Sequence, residues 1–286
     1  FTVMLKQYLF LSLIFAALTM STSCKDDDPD PNQAAYDSAD ANIGGIMYDK
    51  FWATEAFYDQ ASPNLAKFNA TPDFFRCKQC HAWDGLGTAG SYNNRAPKTT
   101  RPNVSDLDLY QTVKDKSYTE LFNAMKATTD RRDINYDLAT YDPATNATEG
   151  DKMPNLNQIM TDEQIWDMVK FMKEGMYDVE QLYDATYTGL YPTGSASYTN
   201  LGKNGNAANG NAYYLANCLA CHGTNGKLIP LETLSLGKFT RSKPNEVQHK
   251  VHYGQLGSLM VGEFDITLTQ MQDLYKELSN TTAYPD

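Results

Sequence analysis

Two copies of one five-residue pattern, Cys77-Lys78-Gln79-Cys80-His81 and Cys218-Leu219-Ala220-Cys221-His222, constrain this 286-residue chain more than any other feature. Together they use four of its five cysteines and two of its four histidines. Two thiols separated by two residues, with an imidazole directly after, form the pattern of covalent haem attachment. The thiols add to the haem vinyl groups as thioethers, and the histidine is then held where it can bind the iron from one face. A zinc centre made from Cys77, Cys80, Cys218 and Cys221 would also satisfy the paired-thiol spacing. It leaves the histidine after each pair without a role.

The balance of 24 basic against 35 acidic side chains gives a formal charge of -11. Nucleic acid is an unsuitable partner for such a surface, because phosphate binding needs clustered Lys and Arg; a basic or neutral protein partner suits it. No internal apolar run reaches the roughly 18 residues that a membrane span requires. Near the start, Lys6, an apolar stretch from Tyr8 to Leu18 and small polar residues up to Ser23 have the layout of an export signal. Ser21-Thr22-Ser23-Cys24 resembles the lipidation site of bacterial lipoproteins, which would account for the fifth cysteine as a lipid anchor on Cys24. Lys25 and the three aspartates after it resemble the signal for the outer face of the outer membrane, and they also read as a plain acidic tether.

The expected layout is a signal peptide at 1–23, a tether at 24–39, a first domain at 40–182, a linker at 183–209 and a second domain at 210–286. An aromatic amphipathic helix is expected from Gly45, followed by a loop over 59–73 that carries Pro63 and Pro72. Ser117 with Glu120, Thr161 with Gln164, and Thr267 with Gln270 are capping boxes, in which hydroxyl and side-chain carbonyl satisfy the free amides at a helix start. Behind the second, Ile165, Met168, Val169 and Met172 form a buried stripe; behind the third, Met271, Leu274, Tyr275 and Leu278 repeat it. Pro244 fits a first helical position and Gly254 a stop. The acids Asp133, Asp137, Asp142, Glu149 and Asp151 match no calcium loop and read as a solvated insertion.

Both halves run in one order: a Gly-x-x-Tyr helix, the pentad, a capped helix, a methionine and a Thr-x-x-Gln helix. In the first half Met153 comes 72 positions after His81; in the second, Met260 comes 38 after His222. This order resembles the class I cytochrome c fold from about residue 40 onward, and residues 76–85 and 244–254 resemble a group of exported two-haem cytochromes. The resemblance implies an all-α chain of two tandem cytochrome c-like haem-binding domains with long loops, carrying two haem c. It implies His81 and His222 as proximal ligands and Met153 and Met260 as distal ones. Met160 competes with the first methionine, and His249 and His252 with the second. With both axial positions filled, the function expected is one-electron transfer between exported redox partners, donor and acceptor unspecified, from a lipid-anchored position in the cell envelope. The alternative is a two-haem enzyme, thiosulfate dehydrogenase-like or peroxidase-like, with one catalytic haem. A haem-stabilised binding or sensor lipoprotein is a third possibility.

Overall fold

A computed structural model describes residues 32–286, so the expected export signal and Cys24 lie outside the described residues. What is described is mostly helical, with a single two-stranded hairpin.

In the first half, Asp40 caps α1 (Ala41–Lys50), its carboxylate accepting from the Asn42 amide at 2.8 Å. After α2 (Asn64–Ala70) and the five-residue α3 (Cys77–His81) come α4 (Leu109–Asp115) and α5 (Tyr118–Lys126). The half closes with α6 (Asp162–Lys170), which runs on through a π-helical turn at Phe171–Gly175. The chain crosses a hairpin, β1 (Asp184–Thr188) against β2 (Ser195–Thr199), with Asp184 opposite Thr199. The second half contains α7 (Ala207–Asn217), α8 (Leu219–His222), α9 (Leu236–Ser242), α10 (Pro244–Tyr253) and α11 (Leu268–Leu278). All three capping boxes form as expected, Pro244 opens α10, and Gly254 closes it at φ +79°.

One set of contacts is made twice. Helix α1 crosses α6 so closely that a Cβ on Gly44 would lie 2.1 Å from the Asp167 carbonyl oxygen. Likewise α7 crosses α11 with Gly210 against Asp273, where a Cβ would lie 2.0 Å from the carbonyl oxygen. The same two aspartates then use their side chains: Asp40 N–H donates to Asp167 Oδ1 at 2.7 Å, and Asn206 N–H to Asp273 Oδ1 at 2.6 Å. The repeat is therefore in register at Gly44 and Gly210, with Tyr48 matching Tyr214. The pairing of Gly45 with Gly210 expected from the sequence is off by one. Gly45 instead faces the Tyr253 ring.

Apolar side chains gather into two main clusters. One, rich in aromatics, joins Met47, Phe51, Trp52, Phe68, Phe75 and Trp166 with the α6 stripe. The other joins Tyr183, Tyr214, Phe239, Leu274, Tyr275 and Tyr284. Helix α10 serves both, since Val247 and Val251 lie in the second cluster while Tyr253 lies in the first and donates its hydroxyl to Gly175 O at 2.7 Å.

Two stretches differ from the sequence reading. The expected loop at 59–73 contains α2, which forms because Phe68 inserts between Phe51 and Phe75, with ring centroids 5.3 and 4.7 Å away. The expected linker at 183–209 contains the hairpin, tied to the first half by Asn93, whose side-chain amide donates to Ser195 O at 2.9 Å.

Replacing Gly44 or Gly210 with Ala forces apart two helices in backbone contact, and we expect each variant to lose about 1–3 kcal/mol or more. Thermal unfolding of the haem-loaded protein checks this. An unchanged midpoint in both would mean that the crossings are not close-packed.

Candidate functional site

The first pentad is helical over its whole length as α3, which stacks Cys77 and His81 about one turn apart. Its exit is anchored from α1: the Tyr48 hydroxyl donates to Ala82 O at 2.6 Å. Tyr214 does the same for the second pentad, donating to Gly223 O at 2.6 Å. Ala82 and Gly223, the residues after the two histidines, share one backbone conformation, φ 63° with ψ 173° and φ 75° with ψ 174°. That region is nearly glycine-only. Each pentad thus turns out of its helix abruptly, and a buried tyrosine pins the turn.

The donor chemistry suits haem attachment. Cys77, Cys80, Cys218 and Cys221 are free thiols. Burial pushes the Cys77 and Cys218 thiols up to about 12; it does the same to Cys80, with the Arg132 guanidinium opposing. Burial lowers His81 to about 4 and shifts His222 in the same direction. Both imidazoles are therefore neutral near pH 7, the form that offers a lone pair to iron. Neither ring makes a hydrogen bond among the described residues, and the Nδ1 atoms of both are buried without a partner. No three His, Cys, Asp or Glu side chains converge as a metal site among the described residues, so the four cysteines do not gather around one zinc.

The two candidate distal methionines differ in placement. Cys218, Cys221, His222 and Met260 all open on one cavity of about 720 Å³, whose apolar wall includes Leu236, Phe239, Val247 and Val251. That volume lies within the roughly 300–1,000 Å³ of cofactor sites. In the first half a cavity of about 550 Å³ is lined by Cys80, Val104, Asp151 and Tyr191 and does not reach Cys77, His81 or Met153. Met153 and Cys77 pack against the same apolar cluster. Met153 is held through its backbone, its carbonyl accepting from Arg132 N–H at 2.9 Å. Met160 is buried in that cluster.

Neither competing histidine lines the 720 Å³ cavity. His249 is 2% exposed and packed between Trp83 and Tyr253, with centroids 4.6 and 4.9 Å away. The His252 ring stacks on Tyr253 at 4.1 Å, and its Nε2 lies 3.2 Å from Phe264 O.

Two residues absent from the sequence reading emerge beside the first pentad. Arg132, 1% exposed, donates one Nη to Phe74 O at 2.7 Å, while its Nε and other Nη are buried without partners. Lys78, inside the pentad, lines the second cavity. Neither has a local signal in the sequence, because each is defined by distant segments. The five acids considered for calcium are used locally instead: Asp133 accepts from Asn135 N–H and Gln158, Asp137 and Asp142 cap turns, Asp151 binds Asn103 and Tyr141, and Glu149 pairs with Lys152.

Residues 68–175 match the cytochrome c family model. That span runs from within α2 through the first pentad and Met153 to the end of the π-helical turn after α6, so this part of the chain is similar to a cytochrome c domain, a similarity that implies haem c and suggests haem-based electron transfer. No curated protein and no solved structure matches the chain.

Two predictions follow from the local geometry. Gly223→Ala puts a Cβ into the strained conformation and should cost about 1–3 kcal/mol, whereas Ala82→Gly should be neutral or stabilising; an undiminished stability of Gly223→Ala, or a loss in Ala82→Gly, in denaturant titrations would contradict the strain. Burial holds His249 at about 3 in the folded chain against 6.5 when free. The unfolded chain therefore binds the proton first, and stability falls as pH drops from 6.5 towards 3. In His249→Phe, that part of the acid sensitivity should disappear from the pH profile of unfolding.

Proposed function

We propose that the chain is an exported electron carrier with two haem c groups, one in each of two tandem cytochrome c-like domains at 40–182 and 210–286. The observation that carries this reading is the contact set made twice: a glycine at a helix crossing, an aspartate beside it bonding the neighbouring helix start, and a tyrosine hydroxyl on the carbonyl after each pentad histidine. Of the two pentads, only the first falls in the matched cytochrome c span. The second repeats its geometry around its own Cys-x-x-Cys-His.

In this reading Cys77 and Cys80 hold one haem and Cys218 and Cys221 the other. His81 and Met153 would be the protein ligands of the first iron, and His222 and Met260 those of the second. Once bound, haem c supplies a one-electron couple at its iron. The chain's part would be to supply two ligands to each iron, so that no substrate reaches the metal, and to keep the imidazoles neutral and desolvated. Leu236, Phe239, Val247 and Val251 give the second cavity an apolar wall for a haem, and a thioether ligand would favour the reduced iron over a more basic donor. Donor and acceptor are proteins that suit an acidic surface. Cys24 would carry the lipid that anchors the chain in the cell envelope, on the periplasmic or outer face of the outer membrane.

Carbon monoxide tests the closed coordination. The purified ferrous protein should take up none at either haem, and uptake by the unsubstituted protein would favour a catalytic haem instead. Met260→Ala should open the second haem alone; an unchanged ferric spectrum in that variant would move the ligand elsewhere.

A further inference from the structure

The wall of the second cavity is not made by the second half alone. Arg76 and Lys78, which flank Cys77, line the same cavity as Cys218, Cys221, His222 and Met260. Among the cations on that wall, Arg76 is engaged: its guanidinium pairs with the Asp49 carboxylate, and its Nε donates to Asp49 O at 2.9 Å. Lys250 is engaged as well, 3.5 Å from the Glu246 carboxylate and hydrogen-bonded to Gln255. Lys78 makes neither an ion pair nor a hydrogen bond among the described residues, although it is 7% exposed. Its Nζ rests 4.5 Å from the centroid of Trp83, a ring it shares with Lys250 at 4.7 Å.

The groups around this ammonium do not neutralise it. Asp49 on α1 and Glu246 on α10 act on it from a distance and favour its charge, while Arg76 and Lys250 oppose it. Burial is the largest effect, lowering Lys78 to about 7. A desolvated ammonium that opens on a cavity and lacks a counter-ion calls for an anion within that cavity. A carboxylate meets the need, and the haem proposed for the second pentad carries two propionate carboxylates at one edge.

We propose that Lys78, a residue of the first pentad, ion-pairs with a propionate of the haem attached at the second pentad. The inference rests on the two-haem reading and deepens it. It makes the two haem sites share a wall, with the chain between Cys77 and Cys80 on one side and the second cavity on the other. Electrons can then pass between the sites within one chain. A cation beside the second haem stabilises its reduced, less positive form, so the first pentad raises the potential of the second haem.

The test is a redox titration, followed by absorbance, of the haem-loaded full chain and of Lys78→Gln and Lys78→Arg. The second haem is assigned with Cys218→Ala: a single remaining thioether leaves one vinyl group conjugated and red-shifts that haem's absorption band. In Lys78→Gln we expect the midpoint of the second haem to fall, the midpoint of the first to move less, and both sets of absorption bands to stay in place. Lys78→Arg should restore the midpoint. Should Gln impair haem loading, Lys78→Met, which keeps an unbranched stem over Trp83, makes the same comparison. Two haems per chain with an unmoved second midpoint, or with equal shifts in both, overturn the Lys78 pairing alone. One haem per chain in the unsubstituted protein overturns the two-haem reading, and the pairing with it.

Discussion

Where α1 meets α6 and α7 meets α11, the helices touch backbone to backbone, and a glycine is the only residue that fits. A Cβ at Gly44 or Gly210 would fall about an ångström inside any allowed contact with the facing carbonyl. The aspartate that supplies that carbonyl also reaches out with its side chain to an amide at or beside the start of the partner helix. Crossing point and helix start are thereby fixed together. Four residues after each glycine sits a buried tyrosine, Tyr48 or Tyr214, whose hydroxyl holds the turn behind a pentad histidine. Position therefore passes from the crossing to the tyrosine and from the tyrosine to the imidazole, within a few ångströms and with no flexible side chain in between.

Burial then sets the chemistry of what is positioned. The pentad histidines are desolvated and so remain neutral, and burial keeps Cys77, Cys80 and Cys218 as thiols. The cations follow different rules. Arg76 and Lys250 have acidic partners, whereas Arg132 buries its Nε and one Nη without partners and Lys78, 7% exposed, makes no ion pair or hydrogen bond among the described residues. Such groups are costly in an apolar interior unless something negative is placed beside them. The two lie in different surroundings, Arg132 stacked over Phe74 and Phe75 next to the first pentad and Lys78 on the wall of the second cavity.

The features readable from the sequence were local ones. The capping boxes at Ser117, Thr161 and Thr267 need only four consecutive residues, and the stripes behind the latter two follow from helical spacing. Gly44 and Gly45 are adjacent, and which of them faces the crossing is decided by α6, so the repeat was read one residue out of register. The hairpin strands leave most of their side chains in water; β1 shows no alternation, and β2 alternates only through Ala196 and Tyr198 over five residues, a short signal for a half-buried strand. Helix α2 exists because Phe68 is buried among distant aromatics, a fact invisible in a stretch bounded by two prolines. For the candidate site, the cysteines and histidines were legible by spacing. Of the two methionines, the one that shares a cavity with its histidine is Met260, and no local pattern distinguishes that outcome from the placement of Met153.

The central claim is that the second pentad does what the first does. Mass spectrometry of the intact chain, produced in cells that attach haem c and then denatured, addresses this directly, because only thioether-bound haem survives unfolding. Two haem masses above the polypeptide are predicted, one retained on a peptide containing Cys77 and Cys80 and one on a peptide containing Cys218 and Cys221. A chain that carries haem on the first peptide alone, with Cys218 and Cys221 left as free thiols, would contradict it.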